Sequence, residues 1–392
     1  MSDNRDYFCT RKFTDISLNI HRRTIGTCCA EDPANINFVE MQQKNMFNLS
    51  HMIDEREMML NNVRVERCSQ SCWHSEDQGL LSLRLGGNFN KKIPVTSTVQ
   101  QIDTLHLSLG NKCAMTCSYC SQDQSSAWFK DLQHNGPYTV TEHADQYSLS
   151  TKNLVLNKLN TEMTGTTKYE QILFDQISTS IKSVGTVNIT GGETLLYSED
   201  LLKLLAIIPS TVQVIIITGL GIKKAHAIKF LDAIKVYPNV KLGISAENTH
   251  ALHEFNRYGS TYKDFLSCLE IVKNTGIDYQ FFSTLSNLTV FGYVDFVQWA
   301  NKKIVSNAVT TPSFMQVQNL DQDSKRYLLE KMQANYCSEF TWLIEALQMD
   351  HQMTSDSKEN LKIFLKEFSS RRKLSLDIFP NTFLKWLDIN VV

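Results

Sequence analysis

The stretch LGNKCAMTCSYCSQD, residues 109–123, puts three cysteines into eight positions: Cys113, Cys117 and Cys120. It follows TLHLSLG, residues 104–110, whose apolar–polar alternation reads as a β-strand. Three thiols at spacings of four and three would share one face of a helix, but Leu or Val would pack such a core stripe better. A zinc ion asks for a fourth ligand, ordinarily from a second cysteine pair. An iron–sulfur cluster held by three thiolates instead leaves one iron with an open coordination position, as a catalyst needs. A loop this short gathers the three ligands at little cost in chain entropy.

Beyond this loop, short apolar runs alternate with helical periodicity, as in repeated βα units. The expected strands are residues 104–110, TVNITGGE at 186–193, VQVIIITG at 212–219, VKLGISAE at 240–247, YQFFSTL at 279–285 and FMQVQNL at 314–320. Stretches such as SEDLLKLLAII, KKAHAIKFLDAI, TYKDFLSCLEIV and VDFVQWANKKI supply the helices between them. Parallel strands joined by right-handed crossovers give an open doubly wound sheet or a partial barrel, with chemistry at the carboxyl ends of the strands. The three cysteines, Gly191-Gly192-Glu193, Thr218-Gly219 and Ser245 with Glu247 all fall at or just past such ends, and are expected on one rim.

Cys-x3-Cys-x2-Cys with aromatic Tyr119 before the last cysteine, followed by Gly-Gly-Glu at the end of the next strand, resembles the signature of the radical S-adenosylmethionine (SAM) superfamily. The resemblance spans residues 104 to about 320. It implies a 4Fe–4S cluster on Cys113, Cys117 and Cys120 and SAM chelating the fourth iron. Reductive cleavage of SAM would then give a 5′-deoxyadenosyl radical that abstracts hydrogen. By the same resemblance Tyr119 packs near the adenine, Gly191 and Gly192 let backbone approach the methionyl amino group, and Glu193 fixes that turn or accepts a hydrogen bond. Thr218 ends a strand beside them, Ser245 and Glu247 face the ribose or methionyl group, and Arg257 pairs with the SAM carboxylate. The bland alternatives are an ordinary turn at Gly-Gly and a surface ion pair for Arg257.

Upstream, Ile16, Leu18 and Ile20 alternate with polar residues, HRR turns, and TIGTCC returns, which predicts a β-hairpin. Cys9, Cys28, Cys29, Cys68 and Cys72 surround it, five thiols in 72 residues. Four cysteines suit structural zinc or an iron–sulfur cluster. The arrangement resembles the hairpin of SPASM and twitch domains, which hold auxiliary clusters but usually follow the barrel. With the element placed first, the order resembles twitch-type radical SAM proteins of phage and environmental sequences. Cys9, Cys28, Cys68 and Cys72 are the expected ligands; adjacent side chains diverge, so Cys28 and Cys29 are not expected to bind one cluster together, and the choice between them stays open. Isolated Cys268 and Cys337 read as small buried hydrophobes.

The fold class expected is therefore α/β, a partial (β/α)6 TIM-like barrel over residues 101–320 with an irregular polar insertion at about 130–168. A small α+β cysteine-rich domain over residues 1–100 precedes it, and a helical region over 321–392 follows. In 392 residues, 42% hydrophobic and 20% charged with 16 Gly and 7 Pro, nothing signals disorder. A net charge of −2 offers no pull toward a large nucleic-acid footprint or an anionic membrane. The opening MSDNRDYFCTRKFTD lacks a signal-peptide pattern, and no apolar run suggests a membrane span, so the expected location is cytoplasmic. The expected partners are an unidentified substrate, a peptide or small molecule before a nucleotide or RNA, and an external one-electron reductant of flavodoxin or ferredoxin type. Two accounts without this chemistry, a zinc-stabilised interaction protein and a simple iron–sulfur electron carrier, leave Gly-Gly-Glu or the open iron unexplained.

Overall fold

The computed structural model describes residues 6–77, 82–87, 96–149, 168–349, 351 and 353–390. The chain is a mixed α/β protein whose strands pair mostly in parallel, and it divides into two compact units. The first unit comprises residues 1–110, 158–216 and 234–241. Its strands, β1 (Asp15–Asn19), β2 (Thr24–Gly26), β3 (Ala34–Asn35), β4 (Ile102–Ser108), β5 (Val184–Thr190) and β6 (Gln213–Thr218, of which the last two residues belong to the second unit), lie in the order β3-β2-β1-β4-β5-β6. The expected hairpin is present, with Ser17 opposite Gly26 and Asn19 opposite Thr24. The structure adds a pairing the sequence did not suggest: β1 runs parallel to β4, with Ser17 beside His106.

Alternation along these strands sorts the two faces of the sheet. Ile16, Leu18, Leu105, Leu107, Val187, Ile189 and Val214 are all buried. The opposite face carries Asp15, Ser17 and Asn19 on β1, Thr104, His106 and Ser108 on β4, and Thr186, Asn188 and Thr190 on β5, all in register. A parallel sheet is ordinarily covered on both faces and reads as a continuous apolar run. Nine consecutive polar positions across three strands mark this face as something other than core.

The second unit comprises residues 111–157, 217–233 and 242–392. It holds most of β7 (Val240–Ser245), then β8 (Tyr279–Leu285) and β9 (Ile304–Ala308), in parallel. The helix Tyr262–Thr275 starts on a Thr261 side-chain cap and ends at left-handed Gly276. Helices at Gln322–Ala334, Thr341–Gln348, Ser355–Arg372 and Asn381–Trp386 make up the expected helical C-terminal region. Trp128, Tyr138, Tyr147, Phe364 and Phe368 join in one aromatic core.

One expected strand is corrected. Residues 314–320 are not a strand but two short 3-10 turns, and the sixth parallel strand of the barrel series is Ile304–Ala308. The buried amides explain it. Gln316 Nε2 donates to Thr310 O (2.7 Å) and Asn319 Nδ2 to Ser313 O (2.6 Å), bonds that compete with a ladder. The true strand is a half-exposed edge with polar Ser306 and Asn307, which hides its periodicity. The expected insertion begins as a regular helix, Ser126–Asn135, and continues irregularly to Ser148; residues 150–167 of it lie outside the described residues. Cys268 is buried as expected, whereas Cys337 is half-exposed. No described helix is long and apolar enough to cross a membrane.

Candidate functional site: a three-cysteine loop and a four-cysteine cavity

In the second unit the loop carrying Cys113, Cys117 and Cys120 is tied down along its length. Thr116 and Ser118 donate their N–H groups to Tyr258 O and Asn256 O (both 2.8 Å), and Trp128 Nε1 donates to Cys117 O (2.9 Å). Ser125 Oγ donates to Met115 O (2.6 Å), and the Cys113 N–H donates to Ser126 Oγ (3.1 Å). Ser118 Oγ also reaches Asn256 Oδ1 (2.7 Å), and Asn256 passes the chain of bonds to Asn248 just past β7 (2.9 Å). Cys117 is buried and its two companions are half-buried. Burial, together with the neighbouring Cys117 and Cys113 sulfurs, pushes the Cys120 thiol well above its ordinary pKa. A thiol so placed is proton-bound until a metal displaces the proton.

Beside the loop, three expected cofactor residues meet one another. The Tyr119 hydroxyl donates to Glu247 Oε1 (3.0 Å), Arg257 Nη1 donates to the Tyr119 oxygen, and Arg257 lies 3.6 Å from Glu247 Oε2. Glu247 is fully buried and Arg257 is 4% exposed, so this is no surface ion pair. Burial raises the Glu247 pKa, with Arg257 and Tyr119 holding it back. A side chain on Gly219 would run into the Arg257 guanidinium and Met115, which accounts for glycine after Thr218. Thr218 is buried and its hydroxyl accepts from Leu220 N–H (2.9 Å). Ser245 ends β7, half-buried.

In the first unit, Gly191-Gly192-Glu193 follows β5 directly. Gly191 has φ +113°, and a Cβ there would stand within 3 Å of the Gly110 and Leu109 backbone. Neither fault can relax by moving a side chain. Gly191→Ala is therefore expected to cost about 1–3 kcal/mol from the strained dihedral alone, read as a lowered denaturation midpoint; an unchanged midpoint would refute the close approach. Glu193 is fully buried and caps the following 3-10 turn by accepting from Leu195 N–H (3.3 Å).

The first unit also gathers the second cysteine group. Cys9, Cys28, Cys68 and Cys72, all buried, line one small cavity, while Cys29 is exposed. Cys9 and Cys68 share a core with Phe8, Phe13, Met59, Val65 and Trp73. Burial pushes the Cys68 thiol up to about 12 and raises Cys9 as well. Among the described residues no three His, Cys, Asp or Glu side chains are grouped tightly enough for a single metal ion. Four buried thiols suit structural zinc or an iron–sulfur cluster.

Sequence reading missed two groups. One is the buried charge beside the cavity, Lys12, Glu31 and Glu55. The other is the polar sheet face, where Asp15 approaches His106 Nε2 (3.6 Å) and Asn188 Nδ2 lies 3.5 Å from His106 Nδ1. On that face Ser108 Oγ and Asn188 Oδ1 are buried atoms without a hydrogen-bond partner among the described residues. The signal was present in the strands themselves, whose alternate residues are Thr104, His106, Ser108 and Thr186, Asn188, Thr190.

The loop thus gathers three buried or half-buried thiols, soft donors of the kind that bind iron–sulfur clusters or zinc. Residues 107–298 match the family model described as the Radical SAM superfamily, which identifies that stretch as a radical SAM domain. No curated protein matches the chain. Among solved structures, it is similar to "Native anSMEcpe with bound AdoMet" at 15% identity and TM-score 0.36, over 53% of this chain and 52% of that one. It is also similar to a histidine-tagged form of anSMEcpe with bound AdoMet at 15% identity and TM-score 0.40, over 60% and 57%. The chain thus spans little more than half the length of these structures, and no residue role is taken from them.

Proposed function

We propose that the protein cleaves SAM reductively at a 4Fe–4S cluster on Cys113, Cys117 and Cys120 and abstracts hydrogen from a peptide or small polar molecule. The observation that carries this reading is the three-thiol loop, held by backbone and side-chain bonds in a form where all three sulfurs belong to one short segment. When bound, the cluster and SAM supply a 5′-deoxyadenosyl radical. The chain's own part is to fix the thiols, to exclude water around Cys117 and to hold charge in place. Arg257 is the cation suited to the SAM carboxylate, and Tyr119 and Glu247 keep its guanidinium oriented. Gly191 and Gly192 offer bare backbone, which suits close approach of the methionyl amino group. Thr218 and Ser245 supply hydroxyls at strand ends. The polar face of β1, β4 and β5 suits a substrate read through hydrogen bonds more than a hydrocarbon.

The twitch-like element belongs to the same proposal. Cys9, Cys28, Cys68 and Cys72 would hold an auxiliary iron–sulfur cluster, and the electrons would come from a flavodoxin or ferredoxin type of reductant. Anaerobic reconstitution with iron and sulfide, followed by dithionite and SAM, tests the whole reading: 5′-deoxyadenosine should form, with about eight irons per chain by four-iron stoichiometry. Zinc in place of iron, or iron without cleavage of SAM, would reject it. For the auxiliary site, Cys28→Ser should lose about half of that iron and Cys29→Ser should keep it, because Cys28 lines the cavity and Cys29 is exposed. Equal iron in the two variants would remove Cys28 from the ligand set.

A further inference from the structure

An ion pair is built into the wall of the four-cysteine cavity. Lys12 and Glu31 both line it, and the side chain of each is 1% exposed. Lys12 Nζ donates to the Glu31 carboxylate and to Glu55 Oε2 (2.6 Å), and Glu55 Oε1 in turn meets Arg67 Nε at 3.1 Å. Glu31 is aimed by the Thr27 N–H and hydroxyl, both of which donate to its carboxylate. It also lies over Gly26, at the place a Cβ would occupy. Burial disfavours the Lys12 ammonium, but the Glu31 and Glu55 carboxylates beside it more than offset this.

Such a pair is weak evidence of stabilisation. Two charges withdrawn from water recover little more than apolar side chains of equal volume would give, and Phe13, Met59 and Val65 already provide an apolar setting here. The other cations of the wall are committed elsewhere: Arg11 to Asp15 (2.9 Å) and Arg84 to Glu76 and Phe8 O. The two almost fully buried charges left on the cavity are opposite in sign. A cluster gains one negative charge on reduction, and in a low-dielectric wall a nearby cation favours the reduced form while an anion opposes it.

We propose that Lys12 and Glu31 set the reduction potential of a cluster held by Cys9, Cys28, Cys68 and Cys72, Lys12 raising it and Glu31 lowering it. Both are positioning residues that act through the cluster. The inference rests on reading the cavity as an iron–sulfur site. Its test uses the full chain with Cys113, Cys117 and Cys120 all changed to Ala, so that only the cavity cluster remains. The protein is reconstituted anaerobically and reduced stepwise with dithionite while the paramagnetic signal is followed.

The parent, Lys12→Met, Lys12→Arg and Glu31→Gln chains should each hold about four irons by the four-iron stoichiometry. The midpoint should fall in Lys12→Met, rise in Glu31→Gln and stay near the parent in Lys12→Arg. Opposite shifts are the signature, since a packing defect would move both variants alike. Midpoints unmoved, or moved in one direction, would overturn the proposal with the cluster reading intact. A parent chain without iron would overturn the cluster reading itself, and the iron count tells the two failures apart. Should Lys12→Met fail to fold, the rise in Glu31→Gln and the parent-like value of Lys12→Arg still decide.

Discussion

Cys117→Ser is expected to lower 5′-deoxyadenosine formation by at least about a hundredfold, more than the loss usual for a residue that only supports a ligand. Iron should fall from about eight to about four per chain, by the stoichiometry of a four-iron cluster. Cys117 is the buried member of its set, and its carbonyl is gripped by Trp128 Nε1 at 2.9 Å, so the serine oxygen would be presented rigidly in place of a soft thiolate. The fold should survive, because the loop is held by Thr116, Ser118 and Ser125 and not by the sulfur. The readouts are iron content, a denaturation midpoint and chromatographic detection of 5′-deoxyadenosine from dithionite-reduced protein. Retained cleavage with halved iron would show that the three-cysteine loop is not where SAM is cut.

Arg257→Met should destabilise the protein by about 3–5 kcal/mol, the usual result of stripping one partner from a buried ion pair. Glu247 is fully buried and would keep neutral donors such as the Tyr119 hydroxyl, 3.0 Å from Oε1, but no cation. The sign of the pH dependence follows from the direction of its shift. A carboxyl whose folded pKa is raised contributes stability that is fully present below its unfolded value, about 4.3, and lost as pH rises through the folded value. Removing Arg257 raises the folded value further. The gap between variant and parent should therefore be small near pH 5 and widest near pH 8, as measured by denaturant unfolding at both. A gap independent of pH would mean that Glu247 is not the group left exposed to the loss. Tyr119→Phe removes a neutral donor only, and should cost about 1–3 kcal/mol.

The candidate site was unevenly legible. Cysteine spacing and Gly-Gly-Glu lie within a few residues of a strand end, so sequence reading put them at the ends of strands that the structure locates within about three residues of the expected bounds. The strand at 314–320 misled because its apolar residues are buried in 3-10 turns by amide side chains, a preference that alternation does not register. Nothing in FCTRKFTD sets Lys12 apart along the chain, and only the helices and strands packed around it make it the cation of a buried cluster.

By itself the sequence determined the chemistry the chain carries: three thiols in one loop, a glycine pair that tolerates positive φ, and parallel βα order. Each depends on neighbours along the chain, where backbone period, residue type and short spacing suffice. Only the tertiary structure decided which of Cys28 and Cys29 faces the cavity and that Tyr119 meets Glu247, 128 positions away. It alone joined β1 to β4 and set Lys12 against Glu31. Those choices belong to packing, where burial fixes which side of the chain turns inward and which charges must find partners.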